Sequence, residues 1–205
     1  MSDARSAIFK RLRRPSVEGL RMAPPTQRAR PRVEKQGAGQ RFVDKLKAAA
    51  ATVTLVDRWS QVGEAVALYL HGAGRPLRLT RTDDPQLDAV SWPDGMQVER
   101  PRGKMNPAVA LSVAFAGVVE TGSLVLRSGP ENPTTLNFLS DFHIVVLRAG
   151  RLVLHLEDVW PKLRKAGLGR TVNFITGPSR TADVEQTMQL GAHGPRRLHV
   201  IIVKE

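Results

Sequence analysis

The sequence predicts an α/β sandwich with a mostly parallel sheet, preceded by a separate basic arm. Two observations carry the fold class. From Thr52 onward, short β-rich runs alternate with segments of helical period through short connections, the pattern of a sheet with helices on its faces and right-handed crossovers. Within that alternation, the run Ile144-Val-Val-Leu147 after His143 is apolar at every position, as a strand buried on both faces requires. A third observation sets the arm apart. The 205-residue chain carries a net charge of +12, yet residues 1–47 hold 13 Lys/Arg against 4 Asp/Glu, while residues 48–205 hold 18 against 15. The body is therefore nearly neutral, and at this length it can bury roughly 70% of its unfolded surface.

The elements follow in order. Ala4, Ile8 and Leu12 recur at near-helical spacing among basic residues and predict a short amphipathic helix. Pro15 to Gln40 holds three further prolines, a Gly-Ala-Gly turn and scattered arginines, too few large apolar groups to fold, and reads as linker. Residues 1–40 are thus assigned to the arm and 41–205 to the α/β domain. Phe42, Leu46 and Ala49 predict a helix near 40–51. Thr52–Val56 is a strand. Ser60 caps a helix with Val62, Ala65, Val66, Tyr69 and Leu70 on its apolar face, stopped by Gly72 and Gly74. Leu77–Thr80 is the next strand, and Val109–Leu126 reads as a strand pair around the turn Glu120-Thr-Gly-Ser123. After the buried strand at 143–147, Leu156–Lys165 is helical with Pro161 near its start. Asn173–Thr176 and Leu198–Val203 close the sheet.

Composition excludes several chemistries. With no cysteine the chain has no disulfide, thiolate metal site, iron–sulfur ligation or cysteine nucleophile of its own, and a reducing, cytoplasmic setting is the expectation. No apolar run approaches the length of a membrane span, and the N-terminus lacks the apolar stretch of a secretory signal. Nucleic acid is not an expected partner, because the body lacks a basic stripe and the chain has one tyrosine for stacking. The five histidines form no ligand pair with nearby acids, so no metal site and no cofactor motif is expected.

In α/β folds, ligands collect beyond the carboxyl ends of strands. Two connections of that type echo each other: Leu126-Arg-Ser-Gly-Pro-Glu-Asn-Pro-Thr-Thr135 and Ile175-Thr-Gly-Pro-Ser-Arg-Thr-Ala-Asp183. Each leaves an apolar strand through a hydroxyl residue, a glycine and a proline, then enters what reads as a helix start, whose free N–H groups favour an anion. Ser128, Asn132 and Thr134 on one turn, with Ser179, Arg180 and Thr181 on the other, are accordingly expected to share one crevice holding a small carboxylate. Well-capped turns would use the same residues, and both readings stand at this point. His193, in Gly191-Ala-His-Gly-Pro195, is the one loop histidine that could join such a site. Glu120 is a candidate acid, base or nucleophile if buried, or a solvated hairpin residue if not.

The blocks Glu120-Thr-Gly-Ser-Leu-Val-Leu-Arg-Ser-Gly-Pro-Glu-Asn-Pro133, His143-Ile-Val-Val146, Thr176-Gly-Pro-Ser-Arg-Thr-Ala-Asp-Val-Glu185 and Gly191-Ala-His-Gly-Pro195, in that order, resemble the lactate-utilisation (LUD) domain of the LutC/YkgG family. The resemblance covers about the last 90 residues tightly and the rest loosely. It implies a Rossmann-like sheet similar to the sugar-phosphate isomerase and CoA-transferase fold. It also implies a role beside iron–sulfur subunits that oxidise L-lactate to pyruvate, in which this cysteine-free chain is the member without clusters. A stand-alone enzyme of CoA-transferase or sugar-phosphate type, with Glu120 as the reacting carboxylate, is the competing expectation.

Overall fold

A computed structural model of the chain describes residues 2–12, 30–101, 107–182, 188–190 and 194–205. The chain divides into two compact units, Met1–Pro31 and Arg32–Glu205. In the first, the expected amphipathic helix is α1 (Ser2–Leu12), with Ile8 exposed. Residues 15–29 of the expected linker lie outside the described residues.

The second unit is built on a six-stranded sheet of β1 (Thr52–Val56), β2 (Arg78–Arg81), β3 (Gln97–Glu99), β4 (Val109–Val113), β7 (Phe142–Arg148) and β12 (Arg197–Val203), in the order β1-β12-β7-β4-β2-β3. Every neighbouring pair is parallel. The central strands β4, β7 and β12 are buried almost throughout, which is why their sequences read as apolar runs. On one face they pack against α3 (Val62–Gly72), where Val62, Val66 and Leu70 meet Leu111, Ile144 and Ile201. The other face, with Val145, Leu147 and Val200, meets Phe42 and Leu46 of α2 (Ala38–Ala48) and Leu124 and Leu126 of a second sheet. Val33 and Ala38 join this second cluster. Each fully buried Leu, Ile or Val here contributes about 1.5–3 kcal/mol relative to exposure.

The second sheet has the order β8-β5-β6-β9: β5 (Ala116–Val118), β6 (Ser123–Arg127), β8 (Leu152–Val153) and β9 (Val172–Ile175). Its outer face is covered by α5 (Val159–Ala166), through Val159 and Leu163 on Val118, Val125 and Val153. The apolar stretch Val109–Leu126 is therefore not one strand pair. It is three strands divided between two sheets. The change of sheet falls between Ala114, whose N–H donates to Val146 of β7, and Phe115, whose N–H donates to Val125 of β6. The strand pair around Glu120–Ser123 is β5 and β6, as the pattern requires. Likewise, 172–175 is not a strand of the parallel sheet: β9 runs antiparallel to β6. α4 (Thr134–Leu139) is a six-residue helix before β7. The expected second helix start, after Gly177, is instead β10 (Arg180–Ala182), paired antiparallel with β11 (Met188–Leu190).

Candidate functional site

Because the six strands run one way, their carboxyl ends share one edge, and the chain crosses there from the large sheet to the small one after both β4 and β7. A cleft of about 390 Å³ opens at this crossing, lined by Gln86, Phe115, Arg127, Asn132, Arg148 and Arg151. Asp84 and Glu131 also reach it, and Val113 and Ala114 give it an apolar floor. Three guanidinium groups against two carboxylates leave it net positive.

Arg148, the last residue of β7, is held from three sides. Its Nε donates to Gln86 Oε1 at 2.9 Å, and its guanidinium lies 4.3 Å from the Trp59 ring centroid, a cation–π stack. Nη1 is 3.9 Å from Glu205, a loose pair at about a third exposure. Gln86 is fixed in turn, since its Nε2 and backbone N–H both donate to Asp84 Oδ1 at 3.2 and 2.9 Å. Asp84, Gln86 and Trp59 thus orient the Arg148 fork before any ligand arrives, and a bidentate fork suits carboxylate or phosphate. Arg127 is committed differently. Its Nη1 donates to the carbonyls of Ala166 and, at 2.8 Å, Gly167, which anchors the end of α5 to the cleft wall.

The structure brings Ser128, Asn132 and Thr134 to this region. Ser128 exchanges hydrogen bonds with Thr171: its N–H donates to Thr171 O at 2.9 Å, and its Oγ accepts from Thr171 N at 2.8 Å. Thr134 Oγ1 lies 2.9 Å from Thr171 Oγ1. Asn132 Nδ2 donates to Arg127 O at 2.9 Å, which fixes the orientation of the amide and leaves Oδ1 buried without a partner. Gly169 closes this wall at φ +70°, where an added Cβ would stand 2.4 Å from Ser128 O.

The other turn is elsewhere. The two turns were expected to face one crevice because both follow apolar strands, but β6 and β9 are antiparallel, with Leu124 opposite Ile175 and Arg127 opposite Val172. Their carboxyl ends therefore point opposite ways, and the shared crevice is not formed at them. Thr176 meets Ser123, at the start of β6, through a hydroxyl contact. Ser179 donates its N–H to Pro195 O at 2.8 Å, and Arg180 is exposed on β10. Thr181 follows in β10, and its side chain and His193 lie outside the described residues. Glu120 stands at the Thr176 end too: its Oε2 accepts from Leu156 N at 3.3 Å and lies 3.3 Å from His155 Nδ1. Arg148, Arg151, Asp84 and Gln86 escaped the sequence reading, although the carboxyl-end rule applied to the strand ending at Leu147 would have pointed to Arg148.

Two histidines are core residues. In β7, His143 Nε2 lies 3.0 Å from Ser112 Oγ, and that hydroxyl donates to Asn137 Oδ1 at 3.2 Å. His199 of β12 stacks on Tyr69 at 3.8 Å, with Nδ1 2.8 Å from Thr52 Oγ1. Burial pushes the imidazoles down to about 3 and about 4, so both are neutral in the folded protein. Burial also pushes the Tyr69 phenol up. Among the described residues no group of three or more metal-ligating side chains occurs, and no helix is long and apolar enough to cross a membrane.

The class of protein defined here is an α/β unit with an arginine-lined cleft at the carboxyl edge of a parallel sheet. The LUD domain model matches residues 102–203. The chain is 35% identical over 122 residues to an uncharacterized protein of Neisseria meningitidis, covering 58% of this chain and 52% of that one. It is 29% identical over 125 residues to the uncharacterized protein YkgG of Escherichia coli, covering 58% and 54%. With Lactate utilization protein C of Deinococcus radiodurans it shares 29% identity over 170 residues, covering 79% and 77%. The matched part spans about half the length of the first two relatives. A crystal structure of a DUF162 family protein from Deinococcus radiodurans has the same fold, with a TM-score of 0.64 at 23% identity over 84% of this chain and all of that one. The chain is a LUD-domain protein of the LutC/YkgG family.

Proposed function

We propose that this chain is the subunit without clusters in an L-lactate-oxidising iron–sulfur assembly, and that its carboxyl-edge cleft binds a small carboxylate. The observation that carries the carboxylate reading is the Arg148 fork, oriented by Gln86 and Trp59 and directed into a net-positive cleft. Relatives named Lactate utilization protein C support the lactate context. The chain has no cysteine to hold a thiolate-ligated cluster, which supports placing it as the subunit without clusters in this reading. Within the cleft Arg148 holds the carboxylate, Arg151 adds charge, and the Ser128–Asn132 loop closes the side facing β9.

The test has two arms. Calorimetric titration with L-lactate and pyruvate should give binding that Arg148→Ala removes. Affinity purification of the chain from its native host should bring down iron–sulfur proteins. Acyl exchange onto Glu120, read by mass, would instead favour the CoA-transferase-type enzyme.

A further inference from the structure

We infer that a second site, at the amino edge of the large sheet, binds an apolar monocarboxylate through Arg75. It lies at the opposite edge from the Arg148 cleft and does not depend on that cleft's function.

Strand pairing opens the site. β2 pairs with β3 from Arg78 onward, and β4 pairs with β7 from Val109 onward. β2 and β4, in contrast, are joined only at Thr80–Ala110 and Arg81–Leu111. No ladder pair joins Leu79 to Val109, so these two strands part toward their amino ends. A cavity of about 360 Å³ opens between them, within the size range of small-molecule sites. Pro76, Leu79, Pro107, Ala108 and Val109 make its walls largely apolar.

The charged groups set the chemistry of the ligand. Arg78 and Glu99 line the cavity as a pair, with Nη2 donating to Oε1 at 2.7 Å. Arg75 lines it without such a partner. Its guanidinium lies 4.9 Å from the Phe142 ring centroid, and that of Arg197 lies 5.6 Å from the same centroid. The stack on Phe142 holds the Arg75 fork in place. Arg75 Nε is buried without an acceptor and lies beyond a ligand's reach, so binding falls to the Nη groups. Among the described residues the Arg75 guanidinium makes no hydrogen bond or ion pair, which keeps those donors for a ligand. An oriented, unspent fork suits a carboxylate. Phosphate is polar on every side and would turn unpaired oxygens toward apolar walls, which costs free energy. A monocarboxylate with an apolar body places its one charged end on Arg75 and buries the rest against the prolines, Leu79 and Val109.

The test titrates the full chain with hexanoate, 1-hexanol, hexylammonium and inorganic phosphate, by calorimetry and by backbone amide chemical shifts. Hexanoate should bind about tenfold or more tightly than each of the other three. Its shifts should include Leu79, Thr80 and Val109, and these should persist in Arg148→Ala, which removes the charge of the other cleft. Arg75→Gln should weaken hexanoate about tenfold. Because that variant also uncovers part of Phe142, the wild-type shift map is the deciding measurement. Hexanol equal to hexanoate would overturn the role of Arg75, and phosphate equal to hexanoate would overturn the apolar specificity. Shifts confined to Phe115, Ser128 and Arg148 and lost in Arg148→Ala would overturn the amino-edge site while leaving the carboxyl-edge reading in place. No binding of hexanoate at Leu79–Thr80 in either chain would overturn it as well.

Discussion

Lowering the pH from 8 to 5 should strongly destabilise this fold, because two histidines are buried neutral. His143 and His199 are 1% and 3% exposed, and their native pKa values lie near 3 and 4 against an ordinary 6.5. Between those limits the unfolded chain binds a proton at each site and the folded chain does not. Stability therefore rises with pH in this window and is lost as pH falls below about 6.5. At pH 5 each site costs about 2 kcal/mol relative to pH 8, about 4 kcal/mol together, from 1.36 kcal/mol per pH unit. That is a large share of the 5–15 kcal/mol typical of a domain. Urea unfolding at pH 8, 7, 6 and 5, with the m value checked for constancy, reads this directly. His143→Gln should roughly halve the slope between pH 6 and 5 whatever it does to absolute stability. Asp57 and Asp88, held low chiefly by hydrogen bonds from Lys204 and Arg81, act in a separate window. Their contribution is present above the ordinary carboxylate pKa and is lost as pH falls below it. A stability curve flat from pH 7 to 5 would show that the two imidazoles protonate in the folded state, and the buried-histidine reasoning would fail.

Arg148→Lys should weaken carboxylate binding by about 1.5–3 kcal/mol in calorimetry, because a point charge cannot reproduce the bidentate fork. Arg180→Ala, on the hairpin beyond the other turn, should leave that binding unchanged, and an equal loss would return the site to the second turn. Gly169→Ala should lower stability by more than about 1 kcal/mol in urea melts, since φ is +70° and the new Cβ would meet Ser128 O. Trypsin should cut first between Arg14 and Arg32, where the composition offers little to bury, leaving a body whose melting temperature is unchanged. A large drop after cleavage would show that the arm contributes to the fold.

The parallel core was legible because its strands are buried on both faces, so Ile144–Leu147 and Val200–Val203 announce themselves as unbroken apolar runs. Amphipathic α2 and α3 were legible by period. The division into two sheets was not. β4 and β5 are separated only by Ala114 and Phe115, and no glycine or proline marks the crossing from one sheet to the other. The direction of β9 was equally hidden, since strand orientation is set by tertiary pairing and leaves no local signal. That one missing fact placed two similar turns in a common crevice. At the cleft, Ser128 and Asn132 were visible through their hydroxyl-Gly-Pro turn. Arg148 looked like any surface arginine, because what distinguishes it is contact with Gln86 and Trp59, 62 and 89 residues away in sequence.

The proposed anion site lies at the carboxyl edge of the large sheet, between Arg148 and the Arg127–Asn132 loop. Backbone amide chemical-shift mapping of the full chain during titration with L-lactate, and again with pyruvate, locates it. The shifts should cluster at Gln86, Phe115, Ser128–Asn132 and Arg148–Arg151. Shifts centred instead on Glu120–Ser123 and Thr176–Thr181, or no shifts with either ligand, would contradict it.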